Sequence, residues 1–313
     1  MNYNTLPEQG KSRMDRKKMA PPSNVKTKSA PAKKTAAFFK KPKGYLLYLL
    51  LVLSITGSIH SHPFQGLGSI AAAVLAAVAV DMIFSLRQKR KTISWDGAVI
   101  TGLIIALVLS EASPLYVSAA ASAAAIVSKN LLSFKRKPLF NPAAFGLLFA
   151  AIPFHSGQSW WGAMATLPVW FIPLVLIGGY LITSKVNKFP QVFSFLGIYF
   201  ILLLVLSLMG TGDVTDALRP PFIQSVLFLA FFMVTDPPTS PAKYKDQVLF
   251  GGIAAVISLA DYVLFGGLSF LLVGVLAANV WKAWNANKKE FSSYLQNLRQ
   301  TSYSRPARRK HFP

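Results

Sequence analysis

Two proline-broken polar segments interrupt a chain that is otherwise strongly apolar. The first reads Asn141-Pro142-Ala143-Ala144-Phe145-Gly146, the second Thr235-Asp236-Pro237-Pro238-Thr239-Ser240-Pro241. Proline has no N–H and clashes with the preceding turn, so each segment starts or ends a helix and frees carbonyls from helical partners. Asn141, Thr235 and Asp236 set side-chain donors and acceptors beside those carbonyls. Broken helices whose ends face inward are recurrent binding elements in membrane proteins built from repeats. The same residues also make ordinary caps and turns, and both readings stay open from the residues alone. Ser94-Trp95-Asp96-Gly97 is a third polar helix start of this kind.

Other chemistry is scarce. The chain has no cysteine, which excludes disulfides, cysteine-ligated iron–sulfur clusters and thiolate zinc sites on this chain. His60, His62, His155 and His311 fall in expected loops or the tail, so no facing pair is available mid-span for haem, and no metal site is assigned. Asp81 stands late in an apolar stretch, where it either pairs with Arg87 or takes part in ion binding. Asp261 is expected in a solvated turn. No phosphate-cradling glycine loop or nucleophile elbow occurs in a suitable context, and no catalytic residue is assigned.

The elements that must position these residues are membrane helices. Of 313 residues 53% are apolar and only 14% charged, against about 25% charged in soluble domains. A water-soluble enzyme is excluded. The net charge of +22 is uneven: residues 1–43 hold 12 basic side chains and residues 282–313 hold eight. This gives three parts: a disordered basic tail over 1–43, a transmembrane domain over 44–281, and a basic C-terminal tail over 282–313. A basic tail next to a membrane span suits anionic lipid rather than nucleic acid.

Apolar stretches long enough to be considered as spans run over about 44–60, 66–84, 97–111, 114–132, 139–154, 168–184, 190–209, 220–234, 248–260 and 262–281. The stretches at 97–111, 139–154 and 248–260 are short for a crossing and are expected to be tilted, broken or re-entrant. With ten spans, alternate connections and the two tails hold 32 of the 33 Lys and Arg residues on one side, which places both termini in the cytosol. Alanine-rich faces in the second and fourth spans indicate close helix packing. Phe291, Tyr294, Leu295 and Leu298 form one apolar helical stripe after the last span, suited to an interfacial helix. The expectation is an all-α, polytopic bacterial inner-membrane protein with about ten transmembrane helices.

Phe231-Phe232-Met233-Val234-Thr235-Asp236-Pro237 resembles the "FFMATDP" signature of the RnfD/NqrB family. Phe140-Asn141-Pro142-Ala143-Ala144-Phe145-Gly146 resembles that family's start to span five, and Trp95-Asp96-Gly97-Ala98-Val99-Ile100-Thr101-Gly102-Leu103 its start to span three. The resemblance implies ten helices in two inverted five-helix halves. It implies a membrane subunit of an electron transport complex, working with other membrane subunits and coupling flavin-mediated electron transfer to ion translocation. The resemblance also implies FMN attached to Thr in the outer loop between spans five and six, which points to Thr166 here; riboflavin is a further candidate cofactor, with Asn141, Thr235 and Asp236 as candidate contacts. The attachment motif resembles Ser-Gly-Ala-Thr, whereas this chain has Ala163-Met164-Ala165-Thr166 and no acidic residue in the 155–167 loop. The same fold serving as a small-solute or ion channel or transporter without redox activity therefore stays open. Trp160 and Trp161 read as interfacial anchors or as stacking partners for an isoalloxazine ring.

Overall fold

The computed structural model describes residues 41–60, 63–90, 95–134, 137–164, 172–210 and 217–303. Ten helices lie among them: α1 Pro42–His60, α2 Pro63–Arg87, α3 Asp96–Val108, α4 Leu115–Leu131, α5 Pro142–Phe154, α6 Ile172–Val186, α7 Phe189–Leu208, α8 Phe222–Phe228, α9 Tyr244–Phe265 and α10 Phe270–Tyr303. α8 runs on into a π turn, Leu229–Met233. One two-residue hairpin, β1 Ser133–Phe134 with β2 Lys137–Pro138, joins α4 to α5. Proline stands in the first turn of α1, α2, α5 and α7, where its missing N–H costs nothing.

α2, α7 and α9 are long and apolar enough to cross a membrane, and α3, α5, α6 and α8 with its π turn are shorter apolar helices. The stretch expected at 248–260 is thus longer than its apolar run. α9 takes Lys245 and Asp246 into its first turn and Asp261 into its last, and the chain reverses at Gly266 and Gly267 with φ of 67° and 77°. Asp261 therefore sits inside a helix rather than in the turn. α10 continues without a break through residue 282 to Tyr303, so the expected interfacial segment extends the last apolar helix.

α3 and α5 have 13 residues each, about 20 Å of helix at 1.5 Å per residue, against a hydrocarbon core of about 30 Å. The missing length is made up by chain that pairs its own backbone. After α3, Leu109 is extended and bridges to Gln158; Ser110 N–H donates to the Gly157 carbonyl at 3.0 Å, and the Ser159 and Trp160 N–H groups donate to the Val108 carbonyl at 3.1 Å. Irregular backbone survives in a bilayer only when its polar groups are met in this way.

The packing pairs recur. α1 lies against α3, α2 against α4, and α4 against α5; likewise α6 lies against α8, α7 against α9, and α9 against α10. The third and eighth helices are short and almost wholly buried: Ile100 to Val108 in α3, and Gln224 to Met233 in α8 and its π turn. Close approach at α4–α5 and α9–α10 depends on glycine. A Cβ on Gly146 of α5 would strike the Ala121 carbonyl and stand 2.8 Å from Ala125 Cβ of α4; one on Gly274 of α10 would strike the Ala254 carbonyl and the Ser258 hydroxyl of α9.

Asp81 is buried at 2% exposure and lies 3.7 Å from Arg90 and 3.6 Å from Lys129. Its partners are therefore not Arg87, as the spacing suggests, but a cation beyond the end of α2 and one on α4.

Candidate functional site

In the α8–α9 connection five backbone carbonyls accept from side chains of other elements. A helix end leaves its last four carbonyls without helical partners, and three of the next eight residues, Pro237, Pro238 and Pro241, have no N–H to offer. Side chains from neighbouring elements supply the donors. Asn141 Nδ2 donates to the Met233 carbonyl at 3.1 Å, and Gln191 Nε2 of α7 donates to that of Val234 at 2.7 Å. Lys282 Nζ of α10 donates to the Pro238 carbonyl at 2.7 Å, and Asn279 Nδ2 to that of Thr239 at 3.1 Å. Lys188 Nζ, just before α7, donates to the Pro241 carbonyl.

Inside the turn, the Thr239 and Ser240 N–H groups donate to the Asp236 carbonyl at 3.2 and 3.0 Å, and the Thr239 hydroxyl donates to Asp236 Oδ2 at 2.7 Å. The Thr235 hydroxyl donates back to the Phe231 carbonyl at 2.5 Å. The π turn is closed by Val234 N–H on the Leu229 carbonyl at 2.9 Å; such bulges recur at functional sites. On the facing side, Asn141 caps α5 by accepting from Ala144 N–H at 3.1 Å, while its own N–H donates to Asn279 Oδ1 at 2.7 Å. The two proline-broken segments thus form one hydrogen-bonded unit with α10.

A cavity of about 560 Å³ lies beside this unit, between α1, α3, α5, α6 and the α8–α9 turn. Volumes of about 300–1,000 Å³ hold small-molecule ligands. Leu46, Ile100, Ile104, Ile182 and Phe232 give it apolar walls, and Asn141, Thr235 and Asp236 all line it. Lys43, Lys129 and Lys137 give it cationic ones. Burial pushes the Asp236 carboxyl above its ordinary range, opposed by the Thr239 hydroxyl and by Lys282, Lys129 and Lys43. Burial also pushes the Lys188 ammonium down to about 8, with the Lys282 charge acting the same way and Asp236 opposing. Because the folded value lies below the free value of 10.5, the unfolded chain binds that proton more tightly. The contribution of Lys188 to stability therefore rises with pH between about 8 and 10.5 and is a cost at neutral pH.

Asn141, Thr235 and Asp236, from the two proline-broken segments, line the same cavity. The Asn141 amide and the Thr235 hydroxyl both donate to the main chain, whereas the Asp236 carboxylate is the one charged acceptor of the three. Lys188, Gln191, Asn279 and Lys282 do not stand out in the sequence. The signal was present for two of them: Gln191 and Asn279 are amides inside apolar stretches, and a buried amide in a membrane span must find a partner.

Thr166 lies outside the described residues, as do His62 and His311. The chain leading to Thr166 is described up to Met164. His155, Trp160 and Met164 take left-handed backbone with φ of 47°, 51° and 62°, which folds the loop inward. Trp160 and Trp161 are buried at 0% and 1% exposure. They are not interfacial anchors: Trp160 Nε1 donates to the Leu268 carbonyl at 3.2 Å, and Trp161 Nε1 to that of Ala106 at 2.7 Å. Met164 is also buried, with the Thr56 hydroxyl on its sulfur at 3.8 Å. A tight turn packed on α3 and α1 overrides the usual preference of tryptophan for the interface.

The NQR2, RnfD, RnfE family matches residues 26–168 and 159–281. The chain belongs to this family, whose members are membrane subunits of Rnf- and Nqr-type complexes. With its apolar helices it is an integral membrane protein. No curated protein sequence matches it.

Proposed function

We propose that the chain is the RnfD/NqrB-like subunit of a bacterial electron transport complex and couples flavin-mediated electron transfer to ion translocation. In this reading it crosses the cell membrane ten times, in two inverted five-helix halves, with both termini in the cytoplasm. An odd number of helices per half inverts the second half. The repeated pairing of helices 1–3, 2–4 and 4–5 with 6–8, 7–9 and 9–10 supports the two halves, and the basic residues on alternate connections support the orientation. Neighbouring membrane subunits donate and accept the electrons.

FMN on Thr166 belongs to this proposal, as does non-covalent riboflavin. When bound, the flavin supplies the redox chemistry. The chain's own residues hold the site: the buried Trp160 and Trp161 fix the loop, and Met164 anchors it against α1 two residues before Thr166. The family match carries the reading. The Thr239-bonded Asp236 and the cavity beside it offer a second place where a small molecule fits in size.

The test is direct. Full-length protein co-expressed with a flavin transferase is expected to give a band that fluoresces under ultraviolet light on a denaturing gel, and Thr166→Val is expected to abolish that fluorescence while leaving expression unchanged. A dark wild-type band together with no flavin in the folded protein would remove the redox reading. Solute uptake by liposomes without any electron donor would then favour a channel or transporter.

A further inference from the structure

Two buried carboxylates are unequally supplied with positive charge. Asp81, near the end of α2, has Arg90 at 3.7 Å and Lys129 at 3.6 Å from the same oxygen, Oδ1, which accepts a hydrogen bond from neither. Arg90 is fixed by other acceptors: its Nη2 donates to Asn130 Oδ1 of α4 at 2.6 Å and to Gln88 Oε1 at 2.8 Å. Lys129 is not so fixed, and its ammonium makes no hydrogen bond among the described residues. Asp236 is the opposite case. Its carboxylate accepts from the Thr239 hydroxyl and has no cation within ion-pair distance among the described residues. The lysines nearest the turn, Lys188 and Lys282, donate to carbonyls. A buried charge without a counter-ion is costly, so a cation that could leave Asp81 has a place to go.

Lys129 is placed to make that move. It lines the same cavity as Asp236, and its charge already counters the effect of burial on that carboxyl. Gly97, at the start of α3, lies beside its ammonium: a Cβ there would stand 3.3 Å from Nζ, so the glycine leaves room for a flexible four-carbon stem to swing. Lys43 also faces the cavity, but it lies 3.1 Å from Asp96 and its side chain is 59% exposed, so water and Asp96 already satisfy it. We propose that Lys129 is shared between Asp81 and Asp236, its ammonium passing through the cavity from one to the other while Arg90 stays to neutralise Asp81. The exchange moves one positive charge from the ends of α2 and α4 to the α8–α9 turn. It makes α4 responsive to the charge on Asp236, and it operates whether or not Thr166 carries a flavin.

The test is a double-mutant cycle, read by thermal unfolding of the full-length protein in detergent. Asp81→Asn and Asp236→Asn each leave Lys129 one carboxylate to pair with. The double variant leaves it none, and a largely buried ion stripped of its partner is strongly destabilising. The midpoint of the double variant is expected to fall by at least about 5 °C more than the sum of the two single shifts. A lysine that stays at Asp81 would give additive shifts, because each carboxylate would then act on it independently. Direct repulsion between the two carboxylates would also give an excess, but one that persists without the lysine. All three variants are therefore repeated with Lys129→Met, where the shifts are expected to add to within about 1 °C. Additive shifts with Lys129 present, or an excess that Lys129→Met does not remove, overturn the proposal. A double variant that folds only with Lys129→Met is the expected result in its extreme form; one that folds in neither background counts against it.

Discussion

Asn141→Ala is expected to destabilise the protein by about 3 kcal/mol. Two effects combine. Loss of the helix cap on Ala144 N–H costs about 0.5–2 kcal/mol. The Met233 carbonyl, buried at the end of the π turn, loses its donor, which costs about 1–3 kcal/mol. The Asn141 main-chain N–H keeps its bond to Asn279, so the change reports on the side chain alone. Asn141→Asp separates the two effects, because the carboxylate can still cap Ala144 but cannot donate to Met233. It should be at least as damaging as alanine, since it sets a charge against a carbonyl. Thermal unfolding of the purified protein in detergent measures both. Loss of less than about 0.5 kcal/mol in the alanine variant would mean that the two proline-broken segments are not joined as described.

Gly146→Val is expected to disrupt the packing of two helices. A Cβ at Gly146 would strike the Ala121 carbonyl, and that neighbour is backbone that cannot rotate away. α4 and α5 would have to separate, and overpacking of this kind costs about 1–3 kcal/mol or more. The damage would reach the site, because α5 carries Asn141 at its start and α4 carries Lys129. The matched control is Gly197→Ala in α7, where a Cβ meets nothing within 4 Å. That change should be neutral or slightly stabilising, since alanine is the better helix former by up to about 1 kcal/mol. Size-exclusion chromatography of the two variants reads the contrast: Gly146→Val should lose the monodisperse peak and Gly197→Ala should keep it. Equal behaviour would argue against the close α4–α5 contact.

Much of the fold was legible because a bilayer imposes length and apolarity on each helix. The ten stretches fall on the ten helices, and the expected short ones at 97–111 and 139–154 are the two 13-residue helices α3 and α5. Where the reading failed, charge was the reason. Lys245, Asp246 and Asp261 cut the stretch at 248–260 short because charged residues are costly in a span, whereas α9 simply carries them in its end turns. For Asp81 the sequence offered Arg87 as the cation to pair with, but the chain beyond α2 turns and brings Arg90 back, while α4 brings Lys129 from 48 residues away.

The site was half legible. Asn141, Thr235 and Asp236 announced themselves through proline. The side chains that hold the turn did not, because Lys188 and Gln191 come from the start of α7 and Asn279 and Lys282 from α10, and only the fold brings them to the same row of carbonyls. Trp160 and Trp161 misled for the same reason: composition marks a tryptophan pair as interfacial, and burial depends on left-handed turns at His155, Trp160 and Met164 that the sequence does not spell out.

The central claim is that the loop before Thr166 and the α8–α9 turn lie on opposite faces of a ten-span bundle. The chain has no cysteine, so single cysteines can be introduced without removing any. Gly157→Cys and Ala242→Cys place thiols at exposed positions in the two segments. A membrane-impermeant maleimide added to intact cells without an outer barrier is expected to label Gly157→Cys at once and Ala242→Cys only after the membrane is broken. Labelling of both from the outside, or of neither, would contradict the arrangement.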